Sequence, residues 1–376
     1  LPSQTDAQRP DAPTYAERGP FTVGTQEVRI DDDTRPLDVT IWYPADADSD
    51  AQAATYTYGP LEGQGQALSD AAPNTEAGPY PLIIFSHGSG GFRYQSVFYT
   101  EHLASYGFVV MAADHPGNTV FDLSEEDVMN SFLQRPRDVL RQLDYAEQLA
   151  TGDGSLAGLI DVERVAITGH SFGGYTAVTA GGARLNPAAL AEWCTDSSFA
   201  YQASMCQLLQ DADRVAEAWG VAAPAEGELW PALTDPRIDA VVALAPFGGP
   251  IFGEAGMAAM DVPTMILVGS ADEATTPQRD AYPMYENLGS PLKSLVVFQN
   301  AGHYIFVEEC TDVAVQLGFY DLCSDDVWDM QRVHDLINHF ATAFQLSTVM
   351  DDDEARQALE PVEVDFNGVK YGLVAE

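Results

Sequence analysis

Gly169-His170-Ser171-Phe172-Gly173 sets a serine between two glycines at the spacing G-x-S-x-G. A serine hydroxyl becomes a nucleophile only beside a base, and that base works best when a carboxylate orients it. The spacing suits such chemistry. A serine displayed on a sharp strand-to-helix turn sits in strained backbone, and bulky neighbours two residues to either side would collide. Val165-Ala166-Ile167 reads as the end of a buried strand, and a helix is predicted from near Phe172. The free N–H groups and positive end of that helix would face a developing oxyanion.

Seven histidines are candidates for the base. His303, in Asn300-Ala301-Gly302-His303, follows the predicted strand 295–298, from which a loop carries it back over the sheet edge. His334 and His339 fall inside a predicted last helix and read as surface or packing residues. His170 neighbours the serine on a tight turn and cannot easily reach round to its hydroxyl. The acid belongs to the loop after the preceding strand, Gly269-Ser270-Ala271-Asp272-Glu273. Asp272 and Glu273 both qualify by position, with Asp272 preferred and Glu273 the alternative. One oxyanion donor is the Phe172 N–H. The other is placed at Ser89 in Ser86-His87-Gly88-Ser89-Gly90-Gly91, whose glycines let the backbone turn its N–H groups inward. Ser171 itself excludes an aspartate-nucleophile reaction.

The elements that must position these residues are continuously apolar strands at 82–85, 108–111, 165–167, 238–244, 264–268 and 295–298. Helical patterns lie between them, which predicts an α/β fold whose mostly parallel central sheet is covered by helices on both faces. Helices are expected over 96–106, from Pro136 in a first turn through Val139, Leu143 and Ala146, and from a Ser324 cap through Met330 to Phe344. Residues 21–30 and 37–43 read as antiparallel strands around the turn 31–33, and a short surface helix is expected within 45–79. By organisation, 1–19 is a disordered tail, 20–183 and 236–348 are core, and 349–376 is a C-terminal extension. Residues 184–235 interrupt the alternation as a helical cap or lid insertion, with helices at 187–193 and 206–219. It is expected to overhang the serine, with Leu208, Leu209 and Trp219 among its wall residues.

Charge bounds the partners. The chain has 17 basic and 57 acidic residues, a net charge of −40, and its lysines are Lys293 and Lys370. No basic face exists for phosphate contacts, so nucleic-acid binding is excluded. An acid-rich, lysine-poor surface fits a salt-adapted source, and equally an acidic secreted protein. The four cysteines form two close-spaced sets, which favours local disulfides Cys194–Cys206 and Cys310–Cys323 over metal binding. No apolar run is long enough to span a bilayer. Leu1 is not an initiator methionine, so the chain reads as a mature extracellular or periplasmic form with its signal segment removed. Oligomeric state is not legible.

The order serine, acid, histidine is that of the α/β-hydrolase fold. Residues 81–94, PLIIFSHGSGGFRY, together with GHSFGG and the GSAD and AGH loops, resemble the secreted lipase branch of that fold. This branch includes plasma-type platelet-activating-factor acetylhydrolases and dienelactone-hydrolase-like proteins, and bacterial cutinases and polyester hydrolases are more loosely similar. The resemblance runs over about 21–346. It implies a serine esterase or lipase-like carboxylic-ester hydrolase without metal or organic cofactor, working through an acyl-enzyme. Ser171, Asp272 and His303 would be its triad, Ser89 and Phe172 its oxyanion donors, and Phe247 an aromatic residue lining the acyl cleft. Substrates would be small esters, lipids or polyesters; polyester or cutin hydrolysis and phospholipid acetylhydrolysis are the alternatives. The acid loop has one residue more before Pro277 than the commoner spacing, which keeps Glu273 open. An amidase and a catalytically silent binding protein are the rivals from other classes.

Overall fold

The apolar runs pair side by side in a computed structural model that describes residues 12–46, 51–195 and 202–372. In chain order the first strands are β1 (Thr22–Ile30), β2 (Leu37–Ala45), β3 (Ala53–Tyr58), β4 (Leu61–Ser69) and β5 (Tyr80–Ser86). There follow α1 (Val97–Ser105), β6 (Val109–Ala113), α2 (Glu125–Thr151), β7 (Ile160–His170) and α3 (Phe172–Ala180). Three helices, α4 (Pro187–Trp193), α5 (Gln202–Gln210) and α6 (Ala212–Trp219), precede β8 (Ile238–Leu244). The rest is α7 (Gly249–Ala258), β9 (Thr264–Gly269), α8 (Ala281–Asn287), β10 (Lys293–Phe298), α9 (Asp312–Gln316), α10 (Met330–Val349), α11 (Asp353–Ala358) and β11 (Val369–Tyr371).

All strands join one sheet in the order β11-β10-β9-β8-β7-β5-β6-β2-β1-β4-β3. From β6 to β10 every neighbouring pair is parallel. These strands are buried on both faces because α2 and α3 cover one side and α1 and α10 the other, which is why they read as unbroken apolar runs. The candidate site residues emerge from the carboxyl ends of β5, β7, β9 and β10, where ligands of open α/β sheets gather.

Several expectations need correction. No helix occurs among the described residues of 45–79; β3 and β4 form an antiparallel hairpin there. Glycine and glutamine face both ways along β4, so no apolar alternation advertised it. The helix placed from Pro136 begins eleven residues earlier, at Glu125, because Ser124 accepts from the Asp127 N–H. Pro136 therefore lies in the helix interior and has no N–H to give the Phe132 carbonyl. The Tyr175 hydroxyl donates to that carbonyl instead, at 3.0 Å. Asp329, not Ser324, caps α10. The helix expected over 206–219 is broken at Asp211, which caps α6.

Described residues near both ends of the chain pack into the fold. Residues 1–11 lie outside the described residues, but Tyr15 and Ala16 are buried, and the Tyr15 N–H donates to His339 Nδ1. An aromatic ring with a seat between Tyr106 and His339 orders what composition alone marked as a tail. In the C-terminal stretch, β11 extends the sheet antiparallel to β10. Among the described residues no helix is long and apolar enough to cross a membrane.

Both disulfides are present as paired by spacing, Cys194–Cys206 and Cys310–Cys323. Loops of this length contribute about 3 kcal/mol each in the chain-entropy model. Cys310 and Cys323 also line the cleft that holds Ser171. Mild reduction is therefore expected to loosen that wall of the cleft, read as faster amide hydrogen exchange over 303–323, before the circular-dichroism melt shifts; exchange that rises only with the melt would contradict this.

Candidate active site

Ser171 stands between β7 and α3 with φ 58° and ψ −115°, a conformation that a non-glycine residue adopts only under constraint. The constraint is visible in its neighbours. A Cβ on Gly173 would lie 1.8 Å from the Ser86 carbonyl oxygen, and one on Gly169 would lie 2.4 Å from the Gly173 oxygen. Strand, turn and helix approach this closely because no side chain intervenes. Gly173→Ala is thus expected to destabilise the protein by about 3 kcal/mol or more. Gly154→Ala, where a Cβ meets nothing within 4 Å, is the control, and equal urea midpoints for the two would refute the steric account.

The loop after β10 returns His303 to the serine. Its Nε2 lies 2.9 Å from Ser171 Oγ, and its Nδ1 lies 2.6 Å from Asp272 Oδ2. Asp272 is buried, and its carboxylate also accepts from the Ala274 and Thr275 N–H groups and the Thr275 hydroxyl. These bonds fix the carboxylate plane that orients the imidazole. Glu273, next in the chain, points to solvent. Thr275 was missed in the sequence, although Asp-x-x-Thr is a local turn in which the side chain of Asp272 binds the backbone ahead of it.

Ser89 and Phe172 both line the cleft beside Ser171. The N–H groups of Gly88, Gly90 and Gly91 are taken by Gln95 Oε1, the Asn118 carbonyl and the Gly88 carbonyl. Among the described residues nothing accepts from the N–H of Ser89 or of Phe172. The Gly88 carbonyl accepts from His87 Nδ1 and the Gly91 N–H, so the Ser89 N–H of the same peptide points the opposite way. Gly88 lies against the nucleophile: a Cβ there would sit 3.6 Å from Ser171 Cβ.

Beneath this loop lies a buried polar cluster. Arg135 donates to Asn118 Oδ1, Ser86 Oγ and the His87 carbonyl, and stacks over the Phe172 ring. Ser86 Oγ lies 2.9 Å from His115 Nε2, and His115 Nδ1 lies 2.9 Å from Asp138 Oδ2. This second Ser-His-Asp series is closed to solvent and its serine accepts from a guanidinium, so it holds the loop and meets no substrate. Burial pushes His115 down to about 3, with Arg135 adding to the effect. Burial works to raise Asp138, but hydrogen bonds from His115 and Arg35 outweigh it and hold its carboxyl below the ordinary range.

Ser171 and His303 open into a cleft of about 1020 Å³. One wall is the β3–β4 hairpin with Tyr56 and Tyr58; a second is the stretch from Val120 to Phe132; the third is the disulfide-closed excursion after His303. Phe247 lines it beside Phe172, their rings parallel at 6.5 Å. The insertion 184–235 contributes little to it. Met205 reaches the cleft, whereas Leu208, Leu209 and Trp219 do not, being drawn into the apolar contact with α2. Residues 196–201 of that insertion lie outside the described residues. Among the described residues no group of three His, Cys, Asp or Glu side chains is placed to hold a metal ion.

A family model described as the alpha/beta hydrolase family matches residues 83–316. The chain is 31% identical to a platelet-activating factor acetylhydrolase of Cavia porcellus, in a match covering 26% of this chain and 31% of that one. It is 34% identical to a cutinase of Thermobifida alba over 26% of this chain and 29% of that protein. It is 32% identical to a bis(hydroxyethyl) terephthalate hydrolase of Streptomyces coelicolor over 27% and 28%. The chain thus spans about three-tenths of the length of the curated relatives it matches.

Proposed function

The chain belongs to the alpha/beta hydrolase family, and from that membership we propose that it is a serine carboxylic-ester hydrolase acting through Ser171, His303 and Asp272. The observation that carries the proposal is the continuous series from Ser171 Oγ through His303 to Asp272, at 2.9 and 2.6 Å, opening into the cleft. Ser171 Oγ attacks the ester carbonyl carbon while His303 Nε2 takes its proton. The carbonyl oxygen, now an oxyanion, is held by the N–H groups of Phe172 and Ser89. Collapse breaks the bond to the alcohol, which leaves with the proton from His303. A water then attacks the acyl-enzyme with His303 again as base, and the carboxylic acid departs from Ser171.

The substrate is an apolar ester. Aromatic and aliphatic side chains line most of the cleft, Phe247 beside the nucleophile among them. The lips carry exposed apolar residues, Phe121 and Leu123 on one side and Tyr320 and Leu322 on the other. Two disulfides and a charge of −40 support an extracytoplasmic working medium, and a salty one. Walls on three sides favour soluble esters over a flat polymer strand. The test is a series of p-nitrophenyl esters from acetate to palmitate beside an amorphous polyester film, with a fluorophosphonate probe mapped by peptide sequencing. Labelling at Ser171 and short-chain turnover far above film erosion are expected. A label elsewhere rejects the nucleophile, and erosion as fast as butyrate cleavage gives the polyesterase reading first place.

A further inference from the structure

Gln95 precedes α1, is 8% exposed, and reaches three of the loops that build the site. Its Oε1 accepts from the Gly88 N–H at 2.8 Å. Its Nε2 faces His170 Nδ1 at 3.1 Å, and its own carbonyl accepts from the Glu308 N–H at 2.7 Å, just beyond the base loop. His170 carries the connection onward, its Nε2 lying 3.0 Å from the His303 carbonyl. We propose that Gln95 is a positioning residue whose side-chain amide, relayed by His170, locks the oxyanion loop and the base loop into one working geometry around Ser171. The proposal rests on the reading of Ser171 and His303 given above.

Hydrogen-bond bookkeeping leaves one arrangement. The Gly88 N–H can only donate, so it fixes Oε1 and turns the Gln95 NH₂ toward His170. His170 Nδ1 must then be bare, and its proton sits on Nε2, where the His303 carbonyl accepts it. A charged ring would put a proton on Nδ1 against the Gln95 NH₂. Burial, with His303 adding to it, holds His170 well below its ordinary value and keeps the ring neutral. The first peptide of the oxyanion loop, His87–Gly88, is therefore clamped at both ends: Arg135 takes the His87 carbonyl from below, and Gln95 takes the Gly88 N–H from the side of the elbow. Removing the amide frees the first peptide and, with it, the aim of the Ser89 N–H. A misplacement of the order of 1 Å at such a group costs about 10²-fold in rate.

Four measurements test this. In the unaltered protein, ¹⁵N spectra of labelled histidine should show His170 as the neutral tautomer protonated at Nε2 only; protonation at Nδ1 overturns the relay whatever the variants do. Gln95→Met, assayed on p-nitrophenyl butyrate and normalised to sites titrated by the fluorophosphonate, should lose about 10²-fold in kcat while KM moves less than about threefold. A trifluoromethyl ketone that adds to the serine should weaken by the same factor. A merely structural residue would lower the melting temperature and leave kcat per titrated site unchanged, and that result rejects the proposal. Gln95→Met combined with His170→Phe should lose no more than His170→Phe alone; losses that multiply would separate the two residues and overturn the relay. Retained activity in Ser171→Ala would instead overturn the parent reading, which none of these outcomes mimics.

Discussion

Ester turnover should disappear in Ser171→Ala and in His303→Ala, with kcat falling by about 10⁴-fold or more in each and the melting curve little changed. The size of the effect follows from the series being a unit. Without the Oγ there is no acyl-enzyme, and without the imidazole the hydroxyl keeps its proton. Asp272→Asn should lose about 10⁴-fold, because an amide facing His303 Nδ1 at 2.6 Å would stabilise the wrong tautomer. Glu273→Gln should stay within about twofold, as its side chain is exposed to solvent. Steady-state kinetics on p-nitrophenyl butyrate decides all four. Equal, mild losses at Asp272 and Glu273 would place the acid elsewhere, and near-normal activity in Ser171→Ala would remove the nucleophile.

The parts of this site that were legible in the sequence are those whose chemistry needs a rare residue at a strand end. Ser171 lies between glycines that no other residue could replace, and Asp272 and His303 follow apolar runs too short and too unbroken to be anything but interior parallel strands. Gln95 and Thr275 left no such mark, because a polar side chain that bridges loops acquires its partners only in three dimensions. His170 was read only as a neighbour of the serine on a tight turn, and its backward contact to the His303 carbonyl could not be read from that place. The β3–β4 hairpin escaped for a different reason. Its inner face is built partly from alanine and glycine rather than from large apolar residues, so composition did not separate it from a loop, and it nevertheless supplies Tyr56 and Tyr58 to the cleft. The start of α2 was legible after all: Ser124 followed by an acidic first turn is a stronger signal than a proline, which the helix tolerates once Tyr175 satisfies the freed carbonyl.

Mild acid should destabilise this protein, chiefly through its buried histidines. His87, His115, His170, His334 and His339 are all buried, and burial holds each of them below its ordinary value: His115 and His334 at about 3, His339 at about 4, His87 and His170 well below. Their partners fix them as neutral rings. His334 donates to the Val307 carbonyl and stacks on Phe98 at 3.5 Å, and His339 accepts from the Tyr15 N–H. The unfolded chain binds protons at these rings as pH falls through about 6.5, whereas the folded chain does not, so stability present above that pH is lost below it. His115, His334 and His339 each cost about 2 kcal/mol at pH 5 on this reckoning, and His87 and His170 act in the same direction. Glu308 opposes them. Burial raises its carboxyl to about 7, so the folded state takes up that proton first and gains roughly 2 kcal/mol over the same range. Asp114 and Asp280, raised by burial in the same way, act in the same direction. The histidine cost exceeds the gain at Glu308, so the balance is a net loss of stability between pH 7.5 and 5. Urea midpoints measured across that range should fall as pH falls, with a net uptake of protons on unfolding near pH 5.5. His334→Asn should flatten the slope by about one proton. A midpoint that holds constant down to pH 5 would mean that these rings are charged in the folded protein, and the neutral tautomer assigned to His170 would be untenable with it.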